Sequence, residues 1–193
     1  MVESLLARIA LGLEQRGIPY MVIGGQAVLL HGEPRLTRDI DITLGAGPAR
    51  VGEVLDIVRS WGGRVLIDNA VDFVQKTMVL PCLEPESGLR VDFIFSFTPY
   101  EREALQRAIR VNLNGTDVRF ACVEDLIIHK IFAGRPRDLE DVRGILLKNK
   151  NLDLTYLRHW LKELDQSVGE AFSDRFEELY QSVENNRERW RRC

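Results

Sequence analysis

Cysteine, histidine, lysine and long apolar runs are all scarce in this chain of 193 residues. Its three cysteines, Cys82, Cys122 and Cys193, lie far apart and form no CxxC pair. That excludes a disulfide scaffold and a thiol-rich zinc site. They read instead as buried small hydrophobes or a terminal thiol in a reducing compartment. The three histidines, His31, His129 and His159, show neither HxH nor HxxxH spacing, so no histidine-held zinc is expected. No stretch of 18 apolar residues occurs, so no membrane-spanning helix is expected. The opening Met1-Val2-Glu3-Ser4 lacks the basic-then-apolar order of a secretory signal, and the expected location is the cytoplasm. Charge excess is also small. Against 29 acidic residues stand 26 basic ones, a net charge of −3, which excludes a polycation that coats nucleic acid. Only five of the basic residues are lysine and 21 are arginine. Arginine suits bidentate phosphate contacts, but a GC-rich coding sequence explains the bias as well, and we favour that explanation.

What is present is an ordinary globular composition, 45% apolar and 28% charged, in a length that suits one domain or one domain with an appendage. Helical apolar spacing runs from Leu5 to Leu13. Tyr20-Met21-Val22-Ile23 is a short apolar strand that stops at Gly24-Gly25, and Gln26–His31 resumes helical character. Residues 39–44 alternate polar and apolar, the signature of a strand with one buried face. A helix is expected from Gly47 to Trp61, strands over Val71–Leu80 and Leu89–Phe97, a helix from Tyr100 to Val111, and a strand from Thr116 to Val123. From Glu124 onward the pattern is helical throughout, broken at Gly134 and Pro136, with further helices over 154–164 and 168–185. The reading is a mixed α/β half, residues 1–122, and a helical half, residues 123–193, sharing one cleft.

The most informative stretch is Gly24-Gly25 followed by Arg35-Leu36-Thr37-Arg38-Asp39-Ile40-Asp41. On a strand, residues two apart point to the same face, about 7 Å apart along the chain. Asp39 and Asp41 therefore project together, and Ile40 and Ile42 face the other way. Two like charges so placed repel unless a cation lies between them, and Mg²⁺ accepts a few carboxylates together with substrate phosphates. Asp92 sits alone in the apolar run Arg90-Val91-Asp92-Phe93-Ile94-Phe95. If that strand lies beside the first, three carboxylates converge, enough to hold two Mg²⁺ for in-line nucleotidyl transfer, with Asp92 as general base toward an acceptor hydroxyl. A strand that ends in two glycines and opens a helix exposes backbone N–H groups at the positive end of the helix dipole, a phosphate cradle. Thr37 and Arg38 are placed to contact phosphate oxygens.

A second block runs from Leu126 to Asp141. Lys130 lies on a helix among Ile128, Ile131 and Phe132, where a bare ammonium would be costly to bury, so a partner is required. Near a triphosphate it would act as a point charge on the leaving pyrophosphate, and Arg137 would do the same or pair with Asp141. Asp138 and Asp141, three apart on a helix, share a face. Lys76, in the expected strand 73–80, and the basic tail Arg187–Arg192 with Trp190 are lesser candidates for nucleotide or RNA contact.

The order Gly24-Gly25…Asp39-Ile40-Asp41…Asp92 resembles the hG[GS]…[DE]h[DE]h…h[DE]h arrangement of the nucleotidyltransferase superfamily, the palm shared with DNA polymerase beta. This sequence has Gly-Gly where many members have Gly-Ser. The block carrying Lys130 and Arg137-Asp138-Leu139-Glu140-Asp141 is similar to that of the AbiEii-type family, which includes toxins of bacterial toxin–antitoxin systems. The resemblance covers roughly residues 20–145. It implies an α/β (α+β) palm, a mixed β-sheet flanked by helices, followed by a helical C-terminal region. It also implies two Mg²⁺ on Asp39, Asp41 and Asp92. The nucleotide, ATP or another NTP, would meet Gly24, Gly25, Thr37, Arg38, Lys130, Arg137, Asp138 and Asp141. The implied acceptor is tRNA, with a cognate antitoxin as partner. Two alternatives stand beside this: an adenylyltransferase of the antibiotic-modifying kind, and a catalytically inactive nucleotide-binding palm.

Overall fold

The computed structural model describes residues 2–96 and 98–191, without the side chains of 188–191. Its elements follow from local patterns. Helix α1 (Val2–Gln15) buries Leu5, Leu6, Ile9 and Leu13 on one stripe. Strand β1 (Tyr20–Ile23) is buried at all four positions and leads straight into helix α2 (Gly24–His31). Strand β2 (Asp39–Gly45) follows, then a 3-10 turn (Pro48–Arg50), helix α3 (Val51–Ser60) and the two-residue strand β3 (Arg64–Val65). Helix α4 (Ala70–Thr77) precedes strands β4 (Val79–Glu84) and β5 (Leu89–Ser96). Helix α5 (Pro99–Arg107) and the hairpin β6 (Ile109–Leu113) and β7 (Thr116–Phe120) come next. Four helices finish the chain: α6 (Val123–Ala133), α7 (Pro136–Lys148), α8 (Leu154–Val168) and α9 (Phe172–Arg191).

The chain packs as two compact units. The first, up to Ala27 and again over Leu36–Cys122, holds the seven strands of the described residues in one mixed sheet of order β3-β4-β5-β2-β1-β7-β6. Neighbours β2/β5 and β1/β7 are parallel and the remaining pairs antiparallel. Its centre is the β2/β5 pair. Ile40, Ile42 and Leu44 alternate inward on β2, and Val91, Phe93 and Phe95 do so on β5, all buried. Each such side chain is worth about 1.5–3 kcal/mol. A one-residue slip of either strand would turn its three outward and cost roughly 5–9 kcal/mol, so burial excludes that slip.

The second unit is helical, Val28–Arg35 and Val123 onward. The helical run after residue 122 is accompanied by the end of α2 and the loop behind it. Polar contacts within this unit explain why: Lys148 Nζ donates to the Gly32 carbonyl at 2.7 Å and Asn149 Nδ2 to the His31 carbonyl at 2.8 Å.

Two expected elements are corrected. Residues 71–77 are helix rather than strand. Asn69 caps α4 by accepting from the Asp72 N–H at 3.3 Å, Asp72 and Lys76 pair at 2.8 Å in i,i+4 spacing, and Met78 closes the helix at φ 60. These local terms outweigh the strand preference of Val71, Phe73 and Val74, and Lys76 is an exposed helical residue spent on Asp72. The helix from Tyr100 ends at Arg107, and Ile109–Leu113 is a strand. Asn114 and Gly115, at φ 52 and 87, form the two-residue turn that turns this segment back onto β7. The strand end expected at Phe97, the terminal thiol Cys193 and the tail side chains beyond Arg187 lie outside the described residues. Among the described residues, no helix is long and apolar enough to cross a membrane.

Candidate active site

The first unit brings the sequence-predicted carboxylates onto neighbouring strands. In the parallel β2/β5 ladder Asp39 stands beside Arg90 and Asp41 beside Asp92. Because side chains alternate along each strand, these four lie on one face of the sheet, opposite the buried face of Ile40, Ile42, Val91 and Phe93. Asp39 is exposed and Asp41 and Asp92 half-buried, so the acids stand at the edge of solvent rather than in the core.

The diglycine lies against this group for a topological reason. β1 is antiparallel to β2 and ends at Ile23 opposite Asp41, so the chain turns into α2 directly beside that carboxylate. Gly24 takes φ 61, a left-handed conformation that favours glycine. A Cβ on it would fall 2.0 Å from Asp41 Oδ2, and a Cβ on Gly25 would fall 2.4 Å from Thr37 Oγ1. Both positions therefore exclude any larger residue while the carboxylate and the hydroxyl keep their places. Thr37 Oγ1 also donates to the Asp39 carbonyl at 3.4 Å, and Gln26 Nε2 reaches the same carbonyl at 3.4 Å. The loop before β2 is thus tied to the start of α2, and Arg38 is exposed at its end. Among the described residues, no three His, Cys, Asp or Glu side chains stand close enough together to form a metal cluster as they are. Asp92 instead meets Arg90, whose Nε lies 2.9 and 3.0 Å from its two carboxylate oxygens. Sequence reasoning did not single out Arg90, although a residue two before Asp92 on a strand must share its face.

The residues from the second block assemble in the helical unit. Lys130 on α6 is buried, with Nζ 2.6 Å from Asp138 Oδ1 and 2.8 Å from Asp141 Oδ2 on α7. Arg35 grips Asp141 with two donors, Nε at 2.7 Å and Nη2 at 2.9 Å, and Arg135 Nε reaches Asp138 Oδ2 at 2.7 Å. The partner demanded by the Lys130 ammonium is thus a carboxylate pair. Burial alone would raise the Asp138 and Asp141 pKa values. The hydrogen bonds from Lys130, Arg135 and Arg35 outweigh it and hold both below the usual carboxylate range. Arg137 lies exposed on α7. No sequence spacing announces the Arg35–Asp141 fork, which joins residues 106 positions apart.

His129, next to Lys130, sets a pH dependence. Burial and then the neighbouring ammonium push its pKa down to about 4 from 6.5. The folded state keeps the imidazole neutral while the unfolded chain takes up a proton below pH 6.5. Stability is therefore full above that pH and falls as pH drops toward 4, by about 3 kcal/mol in total. Urea unfolding at pH 7, 5.5 and 4.5 checks this: we expect a steady loss in the native chain and a nearly flat response in His129→Leu over the same window. An equal slope in both would assign the loss elsewhere.

The fold has solved relatives. The antibiotic-resistance factor ANT(2'')-Ia, in a solution structure described for its substrate-regulated conformation dynamics, is 18% identical. The match covers 98% of this chain and 95% of that one, with a TM-score of 0.55. A crystal structure of ANT(2'')-Ia in complex with adenylyl-2''-tobramycin is 19% identical over 95% of this chain and 97% of that one, at 0.54. An antigenic nucleotidyltransferase-like protein from Paracoccidioides brasiliensis is 17% identical over 91% of each chain, at 0.53. At these identities the likeness is one of fold. No curated protein matches the chain in sequence. The family described as nucleotidyltransferase of unknown function (DUF6036) matches residues 4–191, nearly the whole length, and to that nucleotidyltransferase family this chain belongs.

Proposed function

We propose that this nucleotidyltransferase moves a nucleoside monophosphate from an NTP to an acceptor hydroxyl and releases pyrophosphate, with Asp39, Asp41 and Asp92 as its catalytic carboxylates. The observation that carries the reading is the β2/β5 register, Asp41 beside Asp92 with Asp39 on the same face and Gly24 against Asp41. Three carboxylates at the edge of solvent are an oxygen-donor set that suits Mg²⁺, and a guanidinium already drawn to one of them indicates the field there. Asp39, Asp41 and Asp92 would hold the two ions, which when bound neutralise phosphate charge and acidify the acceptor hydroxyl. The chain's own groups do the rest. The first N–H groups of α2, at Gly24-Gly25, would meet a phosphate. Arg38 supplies donors to phosphate oxygens, and Thr37 joins it when its hydroxyl turns from the Asp39 carbonyl to the nucleotide. Asp92 accepts the acceptor's proton. A nucleotide role for Lys130, Arg137, Asp138 and Asp141 belongs to the same proposal, and the Lys130 substitution discussed below tests it.

For the acceptor we propose tRNA, in an AbiEii-like toxin restrained by a cognate antitoxin. A second reading has support of its own. ANT(2'')-Ia, which resembles this chain over nearly its whole length, has been captured with an adenylylated aminoglycoside, and the alternative acceptor is a small hydroxylated antibiotic. Incubating the chain with each α-labelled NTP, Mg²⁺ and either total tRNA or an aminoglycoside and lincosamide panel separates the two. Label on RNA supports the first, label on a small acceptor supports the second, and no pyrophosphate release with any acceptor overturns nucleotidyl transfer.

A further inference from the structure

Arg90 carries an inference that reaches past the carboxylate trio. It lies two residues before Asp92 on β5, beside Asp39 of β2, so the sheet arranges two acids, a third acid and a guanidinium as a square on one face. The Arg90 side chain is half-exposed and that of Asp92 is 18% exposed. Nothing in the sheet forces a residue with this exposure inward. The carboxylates draw it there, as its two short contacts to Asp92 record. Arg90 Nε donates to both Asp92 oxygens, and the register seats Arg90 directly beside Asp39. The guanidinium is thus seated between Asp92, which it touches, and Asp39 beside it. Asp41 meanwhile rests against Gly24 at the start of α2. Each of these acids therefore has a positive or dipolar counterpart supplied by the chain itself.

We propose that Arg90 is a built-in counter-ion that competes with divalent cations for Asp92, so that the site loads poorly from free metal and well only when an NTP arrives with it. The triphosphate offers the displaced guanidinium a new partner of the right shape, since arginine forks match phosphate oxygens as well as carboxylates. The competition costs affinity in the absence of nucleotide, because a fixed positive charge a few ångströms from an incoming cation is repelled in this half-exposed setting. The inference rests on the metal-dependent reading above.

The test is calorimetric titration of the full chain with MnCl₂, with and without a non-hydrolysable α,β-methylene NTP, for the native protein, Arg90→Gln and Arg90→Lys. Without nucleotide, Arg90→Gln binds Mn²⁺ about tenfold tighter than the native chain, and Arg90→Lys, which keeps the charge but loses the fork, falls between them. With the analogue present the advantage of Arg90→Gln disappears. Thermal melting gives a readout independent of catalysis: in EDTA Arg90→Gln melts below the native chain, because its acids have lost their counter-ion, and millimolar Mg²⁺ raises its melting point more than that of the native chain. Equal or weaker Mn²⁺ binding by both variants, with the native chain still binding, overturns the counter-ion role and leaves nucleotidyl transfer standing. Absence of Mn²⁺ binding in all three, with and without the analogue, overturns both. If Arg90→Gln does not fold, Arg90→Lys decides the question in the same way.

Discussion

Replacing Asp41 by Asn lowers nucleotidyl transfer at least about 10³-fold while the chain stays folded. The carboxylate lies between Gly24 and the side of β5 that carries Asp92. It is the acid of the trio placed against both the α2 start and the neighbouring strand. In the proposed role, losing one charged ligand of a metal pair would remove several kcal/mol of transition-state stabilisation, and each 1.36 kcal/mol is a factor of ten in rate. Asn keeps the shape of the side chain, so the close approach of Gly24 is preserved. Removing one of several clustered like charges also relieves repulsion, so unfolding by urea should shift by no more than about 1 kcal/mol. Asp92→Asn gives the same loss of rate. The control is Asp72→Asn on α4, which breaks only the exposed pair with Lys76 and leaves transfer unchanged. Pyrophosphate release followed with saturating NTP is the measurement. An Asp41→Asn protein that keeps more than a tenth of native turnover would falsify the assignment of the catalytic acids.

The second large effect is on stability. Lys130→Met should cost about 3–5 kcal/mol and lower the melting temperature by about 10 °C. The buried ammonium lies within 2.8 Å of both Asp138 and Asp141, and those two acids are themselves buried. Without Lys130 they face each other with only Arg135, largely exposed, and the Arg35 fork left to neutralise them. A buried charge stripped of its partner costs far more than the pair contributes. The double variant Lys130→Met/Asp138→Asn should therefore recover a good part of the loss, a coupling that a double-mutant cycle measures directly. Melting curves at pH 7 are the measurement, where both acids of the native chain are held below the usual carboxylate range. If Lys130→Met melts like the native chain, the stability assignment fails, and unchanged NTP affinity in the folded variant overturns the proposed nucleotide role of Lys130.

Parts of this arrangement were legible in the chain itself. The alternation Asp39-Ile40-Asp41-Ile42 identified β2 and its two faces, and the apolar run around Asp92 identified β5. The Gly134/Pro136 break separated α6 from α7. Over α4, Val71, Phe73 and Val74 favour a strand, and the terms that decide for helix, one cap and one i,i+4 pair, are each worth under about 2 kcal/mol. Asn114-Gly115 marks the hairpin of β6 and β7, although the helical reading from Tyr100 extends to Val111. Arg90 was readable from period two alone.

Strand periodicity is a property of neighbouring covalent units, so the chain alone determined that Asp39 and Asp41 would point the same way and that glycines would follow β1. Which charges those acids would meet is a different kind of fact. It required β5 to settle parallel to β2 with Asp92 beside Asp41, a register decided by the burial of Ile40, Ile42, Val91 and Phe93 on the opposite face. The pairing of Arg35 with Asp141 likewise waited on the loop behind α2 packing against α7, 106 positions away in the chain. Contacts of that range carry no trace in local spacing, because they are selected by the free energy of the whole packed unit rather than by any one segment of it.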